Sequence, residues 1–115
     1  MLNNVIQRLF GGGERAVTYA EMMKPPQLIA HADRLEVRVW NSTMHSSLGI
    51  SNVRFDKQDD TLLFAAKQEL VSKVSDPTSF VFGFDELGIG RDELDRYALR
   101  WLDPDGTTTE LSVDA

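Results

Sequence analysis

A chain of 115 residues with 42% hydrophobic content has the size of one globular domain, with enough apolar material for a core that needs no staples. The absence of cysteine excludes disulfides, thiolate nucleophiles and cysteine-ligated zinc. The net charge of −6 arises from residue 85 onward, where nine acids outnumber Arg91, Arg96 and Arg100; this argues against phosphate backbones and anionic membrane surfaces as partners.

Residues 2–10 place Leu2, Val5, Ile6, Leu9 and Phe10 at helical spacing, with Asn3, Asn4, Gln7 and Arg8 on the other face, and so predict a short amphipathic helix. Gly11, Gly12 and Gly13 end it. A helix this short persists only when docked, on its own domain, on a partner or symmetry mate, or at a membrane interface; a single cation on its polar face argues against the last. Thr18-Tyr19-Ala20-Glu21 has capping-box spacing and predicts a short helix through Lys24, in competition with a strand over 16–20. Pro25-Pro26 stops either one. Residues 1–24 are thus expected to form a helix and connector, and 25–115 a β-rich domain. No run reaches the ~18 apolar residues of a membrane span, and no secretory leader pattern is visible, so a cytoplasmic location is the default expectation.

The body reads as strands. Leu35, Val37 and Val39 alternate with Glu36, Arg38 and Trp40, the pattern of a half-buried strand. Residues 41–47 are polar and loop-like. Val53 and Phe55 share a face of the next strand, Gln58-Asp59-Asp60 suits a hairpin turn, and the nearly all-apolar run 61–66 reads as a central strand. Residues 71–78 read as a loop. Phe80, Phe82 and Phe84 then fall on one face, opposite Val81 and Gly83.

Near the C-terminal end, Asp103-Pro104-Asp105-Gly106 is turn chemistry, and it separates a strand over Tyr97–Leu102 from a partner over Thr107–Val113. Tyr97 near the start of a penultimate strand, with Leu94 beneath it, resembles the tyrosine corner of immunoglobulin-like and fibronectin-like sandwiches. The resemblance covers some twenty residues and implies architecture alone; the Cys…Trp…Cys signature is absent. The expected fold is therefore mainly β, a small antiparallel β-sandwich of immunoglobulin-like form with a short N-terminal amphipathic helix. The alternative is α+β or a small barrel with residues 92–102 helical, since Leu94, Tyr97, Ala98, Trp101 and Leu102 also share a helical face.

Little in the chain points to catalysis. His31 and His45 lack metal-ligand spacing, and a Ser47–His45–Asp33 triad or a site joining both histidines to Asp33 would have to be assembled by the fold alone. Carboxylate pairs such as Asp92/Glu93 lie in turn-like segments suited to solvated acids. Asp103-x-Asp105-Gly106 has the start of a calcium loop without the remaining ligands, and Gly88-Ile89-Gly90 lacks the rest of a nucleotide fingerprint. Asn41-Ser42-Thr43 is a formal glycosylation sequon. No metal, cofactor or specific small molecule is implied.

The leading expectation is a non-catalytic binding or assembly module acting through a protein partner or self-association. Its candidate contact residues are Leu2, Val5, Ile6, Leu9 and Phe10 on the helix, with Arg38 and Trp40 on the outward parity of their strand. The alternative is a small enzyme or ligand-binding protein with a site in loops 41–49 and 85–95, where His45, Ser46, Ser47, Asp85 and Glu86 gather. A weaker alternative is carbohydrate binding through Trp40 or Trp101.

Overall fold

A computed structural model describes residues 15–41, 48–70 and 77–114. The expected N-terminal helix over 2–10, with Leu2, Val5, Ile6, Leu9 and Phe10, lies outside the described residues, as do His45, Ser46 and Ser47.

The described residues are mainly β and form two sheets. The strands are β1 (Arg15–Ala16), β2 (Gln27–Ala30), β3 (Arg34–Val39), β4 (Leu48–Gln58), β5 (Thr61–Leu70), β6 (Thr78–Gly83), β7 (Ala98–Leu102), β8 (Thr108–Glu110) and β9 (Val113–Asp114). In the larger sheet β5 is central. β4 pairs along its whole length on one side; β7 and β1 share the other side, and β8 pairs beyond β7. The smaller sheet runs β6-β3-β2-β9.

Period-2 patterning decides which side chains enter the core. Leu35, Val37 and Val39 of β3 are fully buried while Glu36 and Arg38 face out. The larger sheet contributes Val53, Leu62, Phe64, Leu99 and Trp101 to the same core. Aromatic contacts join the two layers. The Phe82 ring meets Phe55 edge-on at 5.4 Å between centroids and tilts against Phe64 at 6.2 Å. The alternation Phe80, Phe82 against Val81 holds in β6, where Val81 is exposed; Phe84, also buried, opens helix α1 (Phe84–Leu87). In β5, Leu63 and Ala65 are buried on the face opposite Leu62 and Phe64, which explains why this strand is apolar almost throughout.

The turns follow their chemistry. Asp59, in the tight β4–β5 hairpin, has φ 53°, a left-handed conformation that aspartate tolerates better than most residues. Gly106 at φ 95° closes the Asp-Pro-Asp-Gly turn, donating its N–H to the Asp103 carbonyl at 3.0 Å. The capping-box spacing at Thr18 yields one 3₁₀ turn, Tyr19–Glu21, in which Glu21 accepts the Thr18 N–H at 2.7 Å. Residues 15–24 also supply β1 and the buried Val17 and Met22.

The contested segment divides between its two readings. Arg91–Arg96 forms a 3₁₀ helix and Ala98–Leu102 is a strand, so residues 92–102 are not one helix. The 3₁₀ helix ends where the Tyr97 N–H bonds the Leu94 carbonyl, and β-prone Leu99-Arg100-Trp101-Leu102 then extend along β5. The sheets are not purely antiparallel, however. β7 runs parallel to β5, and β9 parallel to β2. Among the described residues the Tyr97 hydroxyl makes no hydrogen bond, so the bond that defines a tyrosine corner is not formed. An immunoglobulin-like order finds no support in these pairings; a mainly β, two-sheet domain does.

Candidate functional site

Two surfaces gather side chains of chemical interest: the outer face of β3, and a cleft beside the 3₁₀ helix 91–96.

On the first, the β3 parity that buries Val37 turns Glu36 outward, and the sheet register brings its neighbours to it. His31 Nε2 lies 2.8 Å from Glu36 Oε1. Ser79 Oγ on β6 donates to Glu36 Oε2 at 2.8 Å, and Arg38 places its NH2 nitrogen 3.0 Å from the same oxygen. The hydrogen bond from His31, with those from Ser79 and Arg38, holds the Glu36 carboxyl at about 2, far below its ordinary 4.5, although partial burial pushes the other way. Such a group is a permanent carboxylate and not a proton donor. The order of the groups also matters. A catalytic triad sets imidazole between acid and hydroxyl, so that the imidazole can take the hydroxyl proton. Here the carboxylate sits between His31 and Ser79, and the base on the Ser79 hydroxyl among the described residues is the Glu36 carboxylate, far too weak to take its proton. The cluster fastens β2, β3 and β6 together.

Trp40 continues that parity just past β3, yet it is half-buried rather than open. It shares a cleft of about 550 Å³ with Tyr19, Pro25 and Pro26, and the Lys24 ammonium stands 5.6 Å from its ring centroid. One ring face is thus taken by a cation, which leaves less of it for a sugar. Trp101 is fully buried and offers none. Arg38 is bound to Glu36 in a two-point contact, its Nε at 3.3 Å.

The second surface is an open cleft of about 620 Å³. Buried Leu94, Leu99 and Leu111 form its floor, with half-buried Tyr97 and Val113 beside them. Leu111 is fixed there because its N–H bonds the Leu99 carbonyl at 2.7 Å, just before the chain crosses from β8 to β9. Asp92, Asp95 and Glu110 also line the cleft, and among the described residues none of the three carboxylates has a hydrogen-bond or ion-pair partner. Arg91 is the one cation among the described residues that line the cleft, and its Nε–H donates to the His31 carbonyl at 2.8 Å. Tyr97 and Leu111 were legible as apolar strand residues; nothing in their spacing showed that the sheets would part between them.

The other sequence candidates are engaged elsewhere. Asn41 is 3% exposed, and its Oδ1 accepts the Ile50 N–H at 2.7 Å, so the sequon asparagine is not presented for modification. Asp33 pairs with Arg34. Asp103 accepts the Tyr19 N–H at 2.9 Å, and its burial raises its carboxyl above the ordinary range. Asp105 accepts the Thr107 N–H, which lowers its own. These two carboxylates brace the turn, and among the described residues no group of three acid or histidine side chains is placed to hold a metal ion. Asp85 and Glu86 are exposed on α1, with Asp85 bonded to the Glu86 N–H. No helix among the described residues is long and apolar enough to cross a membrane. Comparison with protein-family models, with curated proteins and with solved structures finds no match to this chain.

Proposed function

We propose that this chain is a non-catalytic binding or assembly module that acts through protein–protein contacts. The observation that carries the reading is the open cleft: a floor of leucines beside a rim of carboxylates that are unpaired among the described residues. Recognition surfaces combine an apolar floor with polar groups waiting for a partner, whereas catalysis needs a base within reach of the group it activates. The edges at β8 and β9, which pair with no further strand among the described residues, add backbone groups suited to association. Leu2, Val5, Ile6, Leu9, Phe10, Arg38 and Trp40 are the further contact residues of this proposal.

Light scattering over a concentration series tests assembly. The expected result is a mass that rises above 12.9 kDa and falls back when residues 1–13 are deleted. A monomer at every concentration, unchanged by the deletion, refutes assembly through the N-terminal segment.

A further inference from the structure

The cleft between Tyr97 and Leu111 has a chemical selectivity of its own, and its charge and its edges point to the same kind of occupant. Leu94, Leu99 and Leu111 supply an apolar floor, while Asp92, Asp95 and Glu110 carry three carboxylates with no partner among the described residues. Arg91, the one cation among the described lining residues, donates its Nε–H to the His31 carbonyl, which leaves its charge in place, so the lining still carries two net negative charges. The surrounding sequence deepens the imbalance, since nine acids face three arginines from residue 85 onward. The same cleft on a second copy would meet this one with like charge, so a cleft-to-cleft dimer is disfavoured. A complementary occupant brings positive charge together with apolar side chains.

The backbone beside the cleft adds a second, independent indication. Val113 of β9 lines it, and β9 is the last strand of its sheet, paired to β2 on one side and to no described strand on the other. An extended chain laid there gains main-chain hydrogen bonds from the free edge and directs alternate side chains to floor and rim. We infer that the cleft docks an extended segment of a partner protein in which lysine or arginine alternates with apolar residues. This rests on the binding-module reading above and gives it a partner chemistry.

The test uses two synthetic peptides of equal length, one alternating lysine with leucine and one alternating glutamate with leucine, titrated into the ¹⁵N-labelled full chain. The lysine peptide is expected to shift the amides of Tyr97, Leu99, Leu111 and Val113, and the glutamate peptide to leave them in place. A triple variant, Asp92→Asn with Asp95→Asn and Glu110→Gln, should weaken binding by about tenfold, because three exposed charge pairs are lost at once. Asp103→Asn with Asp105→Asn, in the turn at the opposite end of the β7–β8 hairpin from Ala98 and Glu110, removes two acids and should change affinity less than about twofold. The proposal is overturned if both peptides bind alike, if the shifts fall outside the cleft, or if the two variants weaken binding equally, the mark of general attraction to an acidic chain. Light scattering keeps the two readings apart. A chain that self-associates but ignores the lysine peptide refutes this cleft assignment alone; a strict monomer that binds neither peptide refutes both.

Discussion

Replacing Glu36 by glutamine probes how the smaller sheet is fastened, because it keeps the shape of the side chain and removes only its charge. In the folded protein the Glu36 carboxyl sits at about 2 instead of 4.5, held there by His31, Ser79 and Arg38. At about 1.4 kcal/mol per pH unit this corresponds to a ceiling of roughly 3.4 kcal/mol in favour of the ionised form. The side chain is 13% exposed on an open sheet face and Arg38 is 36% exposed, so screening by water reduces the ceiling to about 1–2 kcal/mol. The sign follows from the depressed value. The folded state binds the proton less readily than the unfolded chain, so the contribution is complete above pH ~4.5 and is lost as pH falls towards ~2. Urea unfolding of the parent and Glu36→Gln, from neutral pH down to about pH 2.5, should show a gap of about 1–2 kcal/mol that narrows steadily through this window. A gap that stays constant down to the lowest pH, or no gap at neutral pH, would refute the assignment of Glu36 as a charged fastening.

Other substitutions test the core and the turns. Phe64→Ala removes a fully buried ring in contact with Phe82 and should cost about 3–5 kcal/mol by denaturant unfolding, with Phe64→Leu, which keeps most of the volume, costing about 1–1.5. Asn41→Ala leaves the Ile50 N–H without its acceptor and should cost about 1–3 kcal/mol, read by the same titration. Asp59→Gly should raise the thermal midpoint or leave it unchanged, whereas Asp59→Val, forced to φ 53°, should lose about 1–2 kcal/mol; equal midpoints would mean that the turn relaxes out of its left-handed conformation.

The parts of the fold that local chemistry governs were legible. Leu35, Val37 and Val39 announce a strand and its buried face; Asp59 and Gly106 sit at turns that their neighbours already required. The run 61–66 reads as central because both its faces are buried. Tertiary pairing was not legible. Nothing in the Tyr97–Leu102 pattern says that it runs parallel to β5, because an alternating strand has the same face composition in either direction. The sequence admitted one helical turn over Arg91–Asp95 ahead of that strand, and the structure holds a 3₁₀ helix there, Arg91–Arg96, ended at Tyr97.

The site divides in the same way. Parity turned Glu36 and Arg38 outward, but the approach of His31 from the β2–β3 turn and of Ser79 from β6 depends on register across three strands. Trp40 was expected on the outward parity, open unless the helix or an N-terminal segment covers it, and the segment that shares its cleft is Lys24-Pro25-Pro26.

The two parallel pairings also set the order in which this chain can complete itself during synthesis. β2 and β3 leave the ribosome early and can close as a hairpin, but the far side of β2 waits for β9, among the last residues described. β5 likewise meets β4 at once and β1 at one end of its other side, and must hold the rest of that flank, Thr61–Phe64, open until β7 arrives beyond α1 and the 3₁₀ helix. Loop closure over such separations is costly before it is rewarded, so these two pairings form against a larger entropic cost than the β2–β3 and β4–β5 hairpins. Until then both sheets carry an unpaired flank, and that interval is when the nascent chain is most exposed to pairing with a neighbour.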